Sequence, residues 1–107
     1  MRTFTQKHII DILGLKRWQV QFYTERCLVE VEKHGGKGSP RQYSDKAVYD
    51  LAIIKELVSW GIETRDLNKI MQVIRNKKYP EKVTVSGAES SLIINVGNII
   101  SKVRLGL

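Results

Sequence analysis

A single glycine, Gly14, restricts this chain more than any other residue, because it falls between two short runs that both repeat at helical spacing. Before it, Ile9, Ile10, Ile12 and Leu13 give a helix its core side. Thr5 is placed to cap that helix, and His8 holds the third helical position, where a capping box carries Glu or Gln. After it, the stretch from Leu15 to Leu28 brings Leu15, Trp18, Phe22 and Leu28 near one apolar flank. Arg17, Gln19, Gln21 and Arg26 turn towards the other. Glycine ends a helix in the left-handed conformation without the penalty of a Cβ, so the chain must turn at Gly14. Two short helices across such a turn make a helix-turn-helix.

In that motif the second helix enters the major groove of DNA. Its polar face here is made of Arg and Gln. Arginine forks onto guanine and glutamine onto adenine, each good pair giving about 1–3 kcal/mol of base discrimination. Tyr23 adds a hydroxyl of the kind that reaches phosphate oxygens. The net charge of +7, from 18 Lys and Arg against 11 Asp and Glu, favours a polyanionic partner, nucleic acid or an acidic membrane surface. No apolar run approaches the ~20 residues of a membrane span, and the polar start MRTFTQKHIID is no secretory signal. One cysteine, Cys27, excludes an internal disulfide and a multi-thiolate zinc site. A reducing cytoplasm is the expected compartment. His8 and His34 lack ligand spacing, so no metal or other cofactor is expected.

Directly after the second helix, Val29–Lys33 alternates apolar and charged residues like a half-buried strand. His34–Pro40 is a glycine-rich turn, and Arg41–Tyr43 reads as the return strand. A hairpin in this place is a wing. From Lys33 to Ser44 it carries Lys33, Lys37 and Arg41 with no acidic residue. Its glycines allow the backbone close to a phosphate, which the basic side chains neutralise.

Ser44 caps a third helix, Asp45–Trp60, closed by Gly61. Thr64 caps a fourth, with the apolar stripe Leu67, Ile70, Met71 and Ile74. Both read as core, and Trp60 as packing. Pro80 stops helical structure after the basic run Arg75–Lys78. Lys82–Ser86 and Ser91–Ile94 then form a second hairpin, and Asn95 caps a last short helix through Ile99, Ile100 and Val103. The fold class is mainly α with small β. Residues 1–78 form a winged-helix DNA-binding domain and residues 79–107 a C-terminal hairpin and short helix. This last segment is more apolar than its own core needs. The surplus is expected to contact the third and fourth helices or a second copy of the chain.

From Phe4 to Ile74, about two thirds of the chain, the sequence resembles the DNA-binding domain of the mercury-resistance-regulator (MerR) family of bacterial transcription factors. Phe4, Thr5, Ile9, Gly14 and Leu15 match its opening, and Phe22-Tyr23 with Leu28-Val29 stand for the tyrosine pair and Leu-Leu of its recognition helix. Gly38, Arg41, Tyr43 and Ser44 match the close of its wing. Leu57, Gly61, Ile62 and Asp66 match the junction of its third and fourth helices. The sequence departs at Lys16, where the family has a Ser cap, at Trp18 and Gln21, where it has arginines, and at Cys27, where it has glycine. A non-glycine at that last place either adopts a left-handed backbone or changes the shape of the turn.

The resemblance implies a two-fold dimer on operator DNA, with RNA polymerase as a further partner. The family's usual long dimerising helix has no room after Pro80, so the C-terminal segment would make the homodimer. Sensing of metals or small molecules by the family's usual routes is not expected. The leading function is sequence-specific, double-stranded-DNA-binding transcriptional regulation. Trp18, Gln19 and Gln21 would face base edges, Arg17 the bases or adjoining phosphates, and Lys16, Tyr23, Lys37 and Arg41 complete the DNA-binding set. The alternative is an architectural or excisionase-like module without operator preference. An enzyme is not expected: no nucleophile–base arrangement is present, and the glycines of 35–38 lack the strand-then-helix context of a phosphate-binding loop.

Overall fold

The computed structural model describes residues 3–27, 29–33, 41–86 and 91–106. A two-residue strand, β1 (Phe4–Thr5), runs straight into α1 (Gln6–Leu13). The capping box is closed by histidine: Thr5 Oγ1 accepts the His8 N–H at 3.3 Å, and His8 Nδ1 accepts the Thr5 N–H at 3.2 Å. Gly14 ends α1 at φ +69°, its N–H donating to the Ile10 carbonyl at 2.8 Å. Lys55, from a later helix, donates its ammonium to the Leu13 carbonyl, placing a cation at the negative end of α1.

The second helix, α2 (Arg17–Arg26), is shorter than Leu15–Leu28 at both ends. Lys16 has no side-chain acceptor for a cap. Its own N–H instead donates to Gln19 Oε1 at 2.8 Å, and the helix starts there. At the other end Cys27 stays right-handed, at φ −102°, so the turn changes shape and no left-handed strain arises. The apolar flank also differs from the sequence reading. α2 buries Val20, Tyr23 and Thr24, followed by Cys27, while Trp18 is 58% exposed and Phe22 half-buried. The sequence holds two stripes at helical spacing, Trp18–Phe22 and Val20–Tyr23/Thr24–Cys27. The larger side chains make the first look like the core, but the second faces it.

The wing base is β2 (Val31–Lys33) and β3 (Gln42–Tyr43), which with β1 form an antiparallel sheet in the order β1-β3-β2. Phe4 pairs with Tyr43 and Thr5 with Gln42, and an irregularity separates the Val31–Tyr43 and Lys33–Gln42 pairs. Both strands are shorter than Val29–Lys33 and Arg41–Tyr43. The pairing of Phe4–Thr5 is not visible in the sequence. Two residues carry no alternation to read.

α3 (Asp45–Ser59) is the hub. Ser44 Oγ accepts the Ala47 N–H at 3.3 Å, and Ala47, Val48, Leu51, Ile53, Ile54 and Leu57 are buried around most of its circumference. Trp60 sits in the cap position ahead of Gly61 at φ +84°. It is 47% exposed, so half of it is left in solvent and only the rest packs. α4 (Thr64–Asn76) buries Leu67, Ile70, Met71 and Ile74, but Glu63 holds the cap position and Thr64 is the first helical residue. After α4, Lys78 and Tyr79 both take left-handed backbones, φ +57° and +56°, each costing about 1–2 kcal/mol. A buried carboxylate holds them. Asp50 of α3 accepts Arg75 Nε and Nη2 on Oδ2 (3.2 and 3.0 Å) and the Tyr79 hydroxyl on Oδ1 (2.8 Å). Burial raises the Asp50 pKa even with Arg75 beside it, and burial together with Asp50 raises that of Tyr79.

β4 (Val83–Ser86) and β5 (Ser91–Ile94) pair antiparallel from Val83–Ile94 to Ser86–Ser91, followed by α5 (Val96–Gly106). The Gly97 N–H donates to the Glu81 carbonyl at 3.0 Å, and a Cβ on Gly97 would lie 2.8 Å from Glu81 Cγ. α5 packs on α3 and on α1. Arg104 Nε donates to the Tyr49 hydroxyl at 3.2 Å, with its guanidinium 5.6 Å from the centre of the Tyr49 ring. Val83, Ile94, Val96 and Val103 thus join the same core as Phe4, Ile9 and Leu51. Much of the apolar surplus is spent there, while Ile93 and Leu105 stay in solvent.

Candidate nucleic-acid interface

The position of α2 is fixed from three directions. Gln6 Nε2 donates to the Arg17 carbonyl at 3.2 Å, tying the start of α2 to α1. Thr24 Oγ1 donates to the Val20 carbonyl at 2.6 Å and lies 3.4 Å from the Tyr43 hydroxyl of β3, a residue with no exposed surface. At the surface, Arg41 Nη2 lies 3.4 Å from Glu25 Oε1. That pair is partly exposed and contributes about 0–1 kcal/mol, but it sets the base of the wing beside α2.

The outward face of α2 holds Arg17, Trp18, Gln21, Glu25 and Arg26, with Lys16 just ahead of it. Trp18 and Gln21 are three residues apart and Arg17 and Gln21 four, so they are neighbours on one face. The Trp18 and Phe22 rings meet edge to face at 6.5 Å, and the Arg26 guanidinium lies 5.5 Å from the Phe22 ring centre. An indole at this exposure forgoes about half of the ~1.5–3 kcal/mol that full burial gives a large apolar side chain. Its body matches the thymine methyl, and the free Gln21 amide matches the adenine edge.

The other sequence-predicted residues are placed differently. Gln19 is half-buried, with its Oε1 on the Lys16 N–H, leaving its amide nitrogen as the group available for a base. Tyr23 is 6% exposed and its ring stacks edge-on with Phe22 at 5.5 Å. Burial also raises its pKa, so it is a core residue first, with little surface for a phosphate. Arg41 points at Glu25, and its Nη1 is buried without a hydrogen-bond partner among the described residues. Lys37 lies outside the described residues. Sequence reasoning missed Gln6 and Glu25, which aim this face without belonging to it. Their partners are 11 and 16 residues away, beyond any local pattern.

Cys27 is fully buried and its pKa is raised by that burial, which leaves an inert thiol. Among the described residues, no three His, Cys, Asp or Glu side chains gather as a metal set, and no helix is long and apolar enough to cross a membrane. A family model described as MerR HTH family regulatory protein matches residues 4–74, from β1 to the last buried turn of α4. No curated protein matches the chain.

Proposed function

The chain belongs to the MerR HTH regulatory family, a family of DNA-binding regulators, and on that premise we propose that it controls transcription by recognising a specific duplex sequence. α2 enters the major groove. Trp18 and Gln21 meet base edges, Arg17 meets bases or adjoining phosphates, and Lys16 with the wing residue Lys37 neutralises the backbone, while Arg41, paired with Glu25, sets the base of the wing. The observation that carries this reading is the 58% exposure of Trp18 beside Gln21 and Arg17, whose side chains have no partner among the described residues, on a helix whose other side is anchored in the core. The protein acts as a two-fold homodimer through its C-terminal segment, where Ile93 and Leu105 remain exposed, and its half-sites face the same side of the duplex. RNA polymerase is the partner proposed for the bound dimer.

Selection from random duplex DNA tests the proposal. A palindromic consensus supports operator recognition and the dimer together. Binding with strong salt dependence but no consensus supports the second reading, an architectural module, which draws on the engagement of Gln19 with Lys16 and of Arg41 with Glu25. Lys37→Ala is expected to weaken all duplexes alike and to reduce the slope of log affinity against log salt by about 1. Affinity that does not change with salt would contradict both readings.

A further inference from the structure

α1, α3 and α5 line an open cavity of about 300 Å³. That is the lower end of the size range of small-molecule pockets. Leu13 and Ile99 supply apolar wall, and Trp60, half in solvent, supplies a flat aromatic one. Lys55 and Lys102 line it against a single acid, Glu56. We propose that this cavity binds a small aromatic carboxylate, its ring against Trp60 and Ile99 and its anion between Lys55 and Lys102. Three features argue for that class. The volume admits one or two fused rings. The excess of ammonium over carboxylate selects an anion, and the half-exposed indole offers a planar surface to a planar ring.

The site has a route to the helix pair. Lys55 donates to the Leu13 carbonyl, the last of α1 before Gly14. An anion that draws the Lys55 ammonium towards itself competes with that carbonyl and loosens the end of α1. The site does not depend on the DNA reading, and it differs from the sensing routes usual in the family.

The test is calorimetric titration of the full chain with 2-naphthoate and, as the uncharged control, 2-naphthamide. Saturable binding of one naphthoate per chain is expected. The amide should bind at least ~10-fold more weakly, as should naphthoate to the Lys102→Met variant, because a hydrogen-bonded charge is lost in both. Lys102 is exposed, so its replacement leaves the fold in place. Amide spectra recorded during the titration should show shifts at Gly14 and at the Trp60 indole N–H. Absence of binding, equal affinity for acid and amide, unchanged affinity in Lys102→Met, or shifts confined to Arg17–Arg26 would each overturn the proposal.

Discussion

Two short helices of this chain, α2 and α4, treat their large apolar side chains in opposite ways. α4 buries its whole stripe, Leu67, Ile70, Met71 and Ile74, and gives solvent only polar residues and Val73. α2 buries Val20, Tyr23 and Thr24 and gives solvent its tryptophan. Folding alone does not favour that choice. A helix that faces the core with a threonine leaves its indole outside, and in the proposed function that outer face meets DNA. α4 shows what the same fold does with a helix that buries its large apolar stripe.

Truncation should separate the two helices most sharply at Leu67. It has no exposed surface, and Leu67→Ala is expected to cost about 2–5 kcal/mol in urea denaturation. Trp18→Ala on α2 should change stability by less than about 1 kcal/mol. A loss from Trp18→Ala equal to that from Leu67→Ala would erase the contrast.

The next largest effect belongs to Asp50. Asp50→Ala leaves the Arg75 guanidinium and the Tyr79 hydroxyl without their shared acceptor and releases the constraint on two left-handed residues. A cost of about 2–4 kcal/mol is expected, below the full value for a buried pair because Arg75 is partly exposed. Thermal unfolding would measure it, and no change would mean that the junction after α4 is held by other contacts.

On DNA the order of the two helices is expected to reverse. If Trp18 meets a thymine methyl, replacing that thymine by uracil in the selected duplex should weaken wild type by about 1 kcal/mol and leave Trp18→Ala unaffected. Anisotropy with both duplexes and both proteins completes the cycle. Equal sensitivity in the two proteins would place the methyl contact elsewhere.

The smallest expected effect concerns pH. The Tyr79 pKa is raised in the fold by burial and by Asp50, so its contribution to stability is complete below the ordinary phenol range and is lost as pH rises from that range towards the raised folded value. Stability should therefore fall above pH ~10 in wild type and fall less in Tyr79→Phe, as read by denaturation at a series of alkaline pH values. Parallel curves would contradict the assignment.

What the sequence discloses follows from how local each signal is. Gly14, Ser44, Gly61 and the α4 stripe act within one or two turns of chain, and the structure has them where the pattern puts them, to within a residue at the caps. The β4–β5 hairpin is legible for the same reason. The phase of α2 is not, because two stripes satisfy the same period and only tertiary packing chooses between them. Strand β1 is invisible because its partner is Tyr43, far along the chain. The Asp50 network joins residues 25 and 29 positions apart, but it did leave a trace. An aspartate at the helical spacing of Ala47 and Ile54 is a charge inside an apolar face, and such a charge needs a buried partner. At the interface, the type of the exposed residues was legible. Which were free and which engaged was not, since Gln19 and Arg41 are taken by partners within the fold.

The most direct test sets one glutamine of each helix against the other. Gln21 and Gln72 are both exposed, on α2 and α4. The quantity to measure is the ratio of affinities for the selected duplex and a scrambled one, by competition anisotropy at fixed salt. Gln21→Ala should lower that ratio by about tenfold, the value of one bidentate base contact, while Gln72→Ala leaves it unchanged. A ratio that survives Gln21→Ala intact, or that falls equally in both variants, would contradict the assignment of the outer face of α2 to the groove.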